Sequence, residues 1–261
     1  MERENDKMII DAHVHLPVID GCTTLQQKKE RLLLEMKKNR VDKCIVISDS
    51  DLVSPIGNLD ECVELSSDID NVYVVGGISP FSAYETQLEK LKHYIEKKKL
   101  VGIKLFPGHE AFYLTDDRLK AVYELAVKYN VPVLFHSGWE NSQFGTAGLA
   151  GELANTYPDL KLVCCHCFYP EISDCFSLIK HPNVYFDMSS IADDLSIIED
   201  IKCAAAQLIR MAPDRVIFGS DYSCCDQMQH IEFVRSLGLD SAMQERVFFK
   251  NAEELYLSVF H

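Results

Sequence analysis

Six residues of this chain have types and spacings that could do metal or acid–base chemistry together: His13, His15, Lys104, His136, His166 and Asp221. His13 and His15 stand two apart in the apolar segment KMIIDAHVHL, residues 7–16. Residues i and i+2 of a strand point to the same face, so both imidazoles project into one cavity. Two imidazoles on one face suit two ligands of a single ion. Lys104 lies in LVGIKLFPG, His136 in VPVLFHSG, His166 in LKLVCCHC and Asp221 in RVIFGSDYS, each near the end of its own apolar run. An isolated His-x-His is weak evidence, and a lone buried histidine is ordinarily a hydrogen-bonded core residue. Four histidines, an aspartate and a lysine at separate strand ends are a stronger set. Imidazole with carboxylate suits Zn2+ and other first-row divalent ions.

Something must bring these distant residues to one place. Eight short β-branched runs, at 7–16, 42–49, 71–79, 100–108, 131–138, 160–167, 183–190 and 215–223, have the length of strands. The gaps between them are too long for hairpins and fit crossover helices. Segments 23–40, 82–99, 115–130 and 193–212 carry helical periodicity. The first opens on a threonine cap candidate. Segment 115–130 opens on Thr115 with two acids behind it and closes at Asn130. The tail after Ser241 reads as two short helical stretches closing an outer ring. Strand followed by helix, repeated, predicts an α/β fold: a (β/α)8 TIM barrel forming a single domain over residues 1–261. The competing open, doubly wound sheet usually brings a glycine-rich turn after its first strand, and HVHLPVIDG has none. In a barrel the C-terminal strand ends form the active site, where the six residues fall.

Composition narrows the function. The chain has 261 residues, 47% hydrophobic and 25% charged, as in ordinary globular proteins. Its formal charge of −14 disfavours binding to nucleic acid or to an anionic membrane surface. No run approaches the roughly 20 apolar residues of a spanning helix. The charged start MERENDK lacks an apolar signal core, so a cytoplasmic location is expected. Ten cysteines fall mostly in apolar runs, which predicts reduced thiols packed as small hydrophobes.

The segments IIDAHVH (9–15), VGIKLFP (101–107), VPVLFHSG (131–138), LVCCHC (162–167), NVYFDMSS (183–190), VIFGSDYS (216–223) and FFKNAEELY (248–256) together resemble the amidohydrolase superfamily, in its amidohydrolase-2 branch. The resemblance spans nearly the whole chain in order. It implies that His13, His15, His136 and Asp221 hold one divalent metal, with zinc the first expectation. It implies that His166 polarises substrate or orients the attacking water, and that Asp221 also accepts a proton. Two departures stand out. The sixth-strand histidine is usually followed by glycine, and here by Cys167 and Phe168. Proline often follows SDY, and here Ser223 does. These changes leave the implied ligands intact but block any transfer of substrate preference.

Alternation places Lys104 inside the barrel, with Val101, Ile103 and Leu105 facing the helices. In other branches of the superfamily a fourth-strand lysine is carboxylated and bridges two metals. The plainer reading pairs Lys104 with an acid or a substrate carboxylate. Trp139, the one tryptophan, falls just past His136 and either walls a pocket or packs a loop. Asp11, which alternation places on the same strand face as His13, is a candidate to orient the metal ligands, as is Asp187. His109 has no spacing to recommend it. Four functions fit these residues. The first is a metal-dependent hydrolase acting on an amide, ester or lactone of a small organic acid or ring compound. The second is a non-oxidative decarboxylase of a small unsaturated or aromatic acid. The others are a metal-independent lactonase and a non-catalytic binding barrel. A small-molecule substrate and a homodimer are the expected partners.

Overall fold

Each of the eight apolar runs forms a parallel strand in the computed structural model of this chain, which describes residues 8–19, 21–51, 53–139 and 141–258. Met1–Lys7 and the terminal His261 lie outside the described residues. The strands are β1 (Ile10–Val14), β2 (Lys43–Ile47), β3 (Val72–Gly77), β4 (Gly102–Leu105), β5 (Val133–His136), β6 (Leu162–Cys165), β7 (Val184–Asp187) and β8 (Val216–Ile217). They pair in chain order from β1 to β8. The residues after β8 then return to β1. The Ala12 amide donates to the Phe218 carbonyl at 3.0 Å, the Asp221 amide to the His13 carbonyl at 2.8 Å, and the His15 amide to the Tyr222 carbonyl. The result is the expected single-domain (β/α)8 TIM barrel.

The helices are α1 (Leu25–Asn39), α2 (Leu59–Ser66), α3 (Tyr84–Glu96), α4 (Lys120–Tyr129), α5 (Ala147–Thr156), α6 (Ile198–Met211), α7 (Gln227–Arg235) and α8 (Ser241–Glu245). Thr24 caps α1 in a reciprocal box with Gln27. Three expectations need correction. The helix does not open at Thr115: the Asp116 carboxylate accepts the Arg118 amide at 2.9 Å and caps a short 3-10 turn, Asp117–Leu119, from which α4 follows without a side-chain cap of its own. Between β6 and β7 there is no α-helix but two 3-10 helices, His166–Phe168 and Ile172–Leu178, the second bracketed by Pro170 and Pro182, which lack amide hydrogens. The tail is one helical run rather than two. It continues α8 through the wider turns Arg246–Lys250 and Glu253–Leu257. Its last turns do not join the outer ring. Ala252, Leu255, Tyr256 and Leu257 pack with Ile10, Ile45, Val75, Leu134 and Ile217 as the floor of the barrel interior.

β1 departs from simple alternation at the point that matters for chemistry. Asp11 pairs with Cys44 and Val14 with Val46, so three steps on β1 match two on β2. This is a β-bulge. Cys44, Val46 and Val14 belong to the layer between strands and helices. Ala12 and His13 therefore both turn inward, and Asp11 turns outward. The expectation that Asp11 shares a face with His13 fails for this reason.

Asp11 instead fastens the seam between β1 and β8. It accepts the Ser220 amide at 2.9 Å, the Ser220 hydroxyl at 2.6 Å and the Gln227 side-chain amide at 2.7 Å. Burial raises its carboxyl to about 6, against the pull of those donors. Removing the carboxylate strands three buried donors. Asp11→Ala should lose about 3 kcal/mol of stability, read as a lower midpoint in urea denaturation. An unchanged midpoint would show that the seam closes without it.

Candidate metal centre

The C-terminal ends of the strands open into a cavity of about 690 Å³ lined by His13, His15, Lys104, His136, Trp139, His166 and Asp221, among others. All six residues singled out in the sequence, and Trp139, thus reach one space. A ring nitrogen each from His13 and His15 and a carboxylate oxygen of Asp221 lie within 4.8 Å of one another. His136 stands on the cavity wall outside that tight group. Its ring centroid is 4.9 Å from that of His166 and it stacks on Trp139 at 5.7 Å and 19°.

The proton positions follow from the neighbours of each Nδ1. His13 Nδ1 lies 2.5 Å from Asp187 Oδ2, an acceptor, so it carries the proton. His15 Nδ1 lies 2.9 Å from the Ile47 carbonyl and must also donate. His166 Nδ1 donates to the Ser189 carbonyl at 3.1 Å. In the neutral rings each Nε2 is left with a lone pair. His15 Nε2 is 3.2 Å and His13 Nε2 is 3.5 Å from Asp221 Oδ1. Those separations join two lone pairs to a carboxylate oxygen with no proton between them. Asp221 Oδ1 is accordingly buried without a hydrogen-bond partner. A divalent cation satisfies all three atoms at once, so the donor set fits the metal that the sequence implies.

The surrounding backbone is shaped to this set. β8 leads into Gly219, where a Cβ would sit 2.5 Å from Asp187 Oδ1 and 2.8 Å from His13 Cβ. Only glycine lets the chain pass between those two side chains. Gly138 has φ +87, and a Cβ there would meet the Tyr169 carbonyl oxygen at 2.3 Å. Ser189 Oγ bridges His13 Nδ1 at 3.0 Å and His166 Nδ1 at 2.9 Å, tying two imidazoles to the end of β7. Asp187 is therefore the partner that orients His13, a role Asp11 does not share.

Lys104 points inward as alternation predicts and is buried, 1% exposed. Its amine lies 3.0 Å from Cys165 Sγ and 5.3 Å from the centre of the Phe106 ring. Among the described residues no carboxylate lies in ion-pair range of it. The reading that pairs it with a protein acid is thus set aside. Burial pushes the Cys165 thiol up to about 12, with Lys104 pulling the other way.

Burial dominates the charges here. It lowers His136 steeply, takes His166 down to about 3 and lowers His13 and His109. For Asp221 burial works to raise the carboxyl, but His13, His15 and His166 together hold it well below the usual range. Asp187 is held low in the same way, chiefly by His13. Near neutral pH His13, His109, His136 and His166 are therefore neutral, and Asp187 and Asp221 ionised.

Sequence reasoning missed several lining residues. His109 lines the cavity with its ring 4.2 Å from that of His136. Glu110 accepts from the Ser50 hydroxyl at 2.8 Å and from the Ser79 hydroxyl, joining the loops after β2, β3 and β4. Asp49, Ser50 and Asp51 follow β2 into the same wall. Their signal was positional: polar residues directly after strand ends, at β2 and β4 as at β1.

Four of these histidines have folded-state pKa values below the ordinary value near 6.5. Each holds a neutral ring that stabilises the fold above that value and loses it as pH falls. Asp11, raised to about 6, works in the opposite direction as one carboxyl against four rings. Chelator-treated protein should keep a flat Tm from pH 8 to 7 and lose several degrees between pH 6.5 and 5. A Tm that stays flat to pH 5 would contradict the neutral-imidazole assignment.

The comparisons with known proteins bear on the family and the fold. The amidohydrolase family profile matches residues 10–257. No curated protein matches the chain. Among solved structures, an uncharacterised TIM-barrel protein of Bordetella bronchiseptica superposes with TM-score 0.79 at 18% identity, covering 97% of this chain and 100% of its own. The 4-oxalomesaconate hydratase of Rhodopseudomonas palustris gives 0.70 at 18%, covering 96% of each chain. The 5-carboxyvanillate decarboxylase of Novosphingobium aromaticivorans, solved with manganese, gives 0.69 at 14%, again 96% of each. At these identities the solved structures speak for the fold alone, whereas the profile spans almost the whole sequence: the chain belongs to the amidohydrolase family, in its amidohydrolase-2 branch.

Proposed function

We propose that this protein is a metal-dependent hydrolase that opens an amide, ester or lactone bond in a small organic acid or ring compound. The observation that carries the reading is the proton-free meeting of His13 Nε2, His15 Nε2 and Asp221 Oδ1. These three residues would hold the ion, with His136 as the fourth ligand and zinc as the preferred metal for an imidazole-rich set. A divalent ion bound there supplies Lewis acidity that polarises a carbonyl and makes water acidic near neutral pH.

The chain's own groups do the rest. Asp221 stays ionised and can accept a proton from water through its carboxylate. His166 turns Nε2 toward the cavity while its other nitrogen is fixed by Ser189, so it can hold a water or a substrate oxygen in one orientation. Lys104 offers a buried N–H donor to an anionic substrate group, since its protein partner is only a thiol. Trp139 gives one wall to a ring.

A second reading, non-oxidative decarboxylation, rests on the flat slot made by Trp139 over His136 and on the decarboxylase among the superposed structures. Release of CO2 from a panel of aromatic acids, with no hydrolysis of esters or lactones, would select it.

Asp221→Asn should bind about one equivalent of metal less by elemental mass spectrometry and lose turnover by roughly 10³-fold, with the circular-dichroism spectrum unchanged. A fully active variant would sink the role given to Asp221. Lys104→Met should keep the metal content and lower kcat/KM on carboxylate substrates by about 10- to 150-fold. If it instead loses a metal equivalent, Lys104 is a carboxylated bridge between two ions.

A further inference from the structure

Outside the cavity, a second group of donors lies where the loops after β7 and β8 meet α7. A carboxylate oxygen of Asp193, the sulfur of Cys225 and a ring nitrogen of His230 fall within 4.8 Å of one another. The three come from two pieces of chain, with Cys225 and His230 five residues apart on one of them. Asp193 belongs to the loop before α6, Cys225 to the loop after β8, and His230 to the first turns of α7.

The tautomer of His230 is fixed as in the first site. Its Nδ1 lies 2.9 Å from the Asp226 carbonyl and must donate, which leaves Nε2 as the acceptor nitrogen. The Ala192 amide, one residue from Asp193, donates to that Nε2 at 3.4 Å, a long hydrogen bond that an ion at the site would replace. His230 is buried, Cys225 half-buried and Asp193 exposed. The group is thus rooted in the protein on one side and open to solvent on the other. A tetrahedral ion with one sulfur, one nitrogen and one oxygen ligand needs donor separations of about 3.3–3.8 Å, against the 4.8 Å within which these three donors lie.

We propose that Asp193, Cys225 and His230 form a second metal site, selective for zinc or another thiophilic first-row ion. The donor chemistry separates it from the first site. Imidazole and carboxylate alone accept manganese or zinc, whereas a thiolate ligand discriminates against manganese, magnesium and calcium. Cys225 binds as the thiolate, and its proton passes to solvent.

An ion here braces the catalytic face from behind. The Cys225 amide donates to the Asp221 carbonyl at 3.1 Å, and Cys225 Sγ lies 3.0 Å from Ser190 Oγ. Ser190 directly follows Ser189, which holds His13 and His166. Tying Asp193 to Cys225 and His230 therefore joins the loop that orients two imidazoles to the loop that carries Asp221. The site stands independently of the hydrolase reading, because its test does not use turnover.

Cobalt(II) added to metal-free protein reports thiolate ligation through a sulfur-to-cobalt charge-transfer band in the near ultraviolet. The band is expected in the wild type and in the double variant His13→Ala/His15→Ala, which lacks the first site. It should vanish in Cys225→Ser and persist in Cys224→Ser and Cys165→Ser. Zinc per chain should fall by about one equivalent in Cys225→Ser, and His230→Gln should weaken zinc binding at least 10-fold while leaving the thiol in place. Should Cys225→Ser fail to fold, alkylation of the wild type decides the matter: zinc should protect Cys225 from iodoacetamide, as read by peptide mass spectrometry. No band in the wild type, a band that survives Cys225→Ser, or equal labelling of Cys225 with and without zinc would overturn the proposal.

Discussion

The geometry of the candidate metal centre depends on where protons are kept away. Three imidazoles and a carboxylate converge at the top of the barrel, and each ring has its Nδ1 proton committed to a neighbour. Asp187 claims that of His13, the Ile47 carbonyl that of His15, and the Ser189 carbonyl that of His166. Those acceptors sit on or just past β2 and β7, strands that do not carry the rings they fix. The lone pairs are therefore aimed by the barrel as a whole, through the parallel register of its strands, and not by any local motif. Neutral rings at His13 and His166 and an ionised Asp221 are the electrostatic outcome, and a cation relieves the crowding of lone pairs around that carboxylate.

That arrangement carries a backbone cost. Trp139, Asn141, His166, Cys167, Phe168, Ser190 and Asp221 all have positive φ, and all follow β5, β6, β7 or β8. At roughly 1 kcal/mol for each non-glycine residue in the left-handed region, the total approaches 7 kcal/mol, which is comparable to the whole stability of an ordinary domain. Such strain persists only where surroundings over-determine it. Here the closed sheet, the Asp11 seam and the helical tail under the barrel supply that surplus. The turn after β6 is the sharpest case, with φ of 64, 49 and 58 on three successive residues. A glycine after the sixth-strand histidine would relieve the middle position. This chain keeps Cys167 there, buried, with its sulfur 3.2 Å from the Asp187 carbonyl, so packing takes over what a glycine would give by conformational freedom.

Much of this was legible in the residues, for a physical reason. Strand runs, crossover spacing and polar strand ends are local patterns, and a parallel barrel brings all its strand ends to one rim. His13, His15, Lys104, His136, His166 and Asp221 could therefore be assigned to one cavity without knowing a single contact, whereas Trp139 stayed open between pocket wall and loop packing. Three things were illegible because they are not local. The bulge in β1 shifts Asp11 to the outer face, and only pairing with β2 reveals it. The floor of the barrel comes from a tail whose helical pattern says nothing about which end it closes. His109 and Glu110 reach the cavity through the shape of the loop after β4, which strand periodicity cannot address.

Lys104 shows how the two levels combine. Alternation alone puts its side chain inside the barrel, and the structure confirms the direction while removing the acid that would have explained it. A buried amine whose nearby acceptor is a thiol is poorly compensated, because sulfur is a weak acceptor and burial removes water. The Asp187 carboxylate is already engaged with His13, and Asp221 faces the lone pairs of His13 and His15. The remaining way to balance the amine is an anionic group that enters the cavity from solvent. On that argument the fourth strand contributes to what the pocket accepts, and the first and eighth strands to what is done to it.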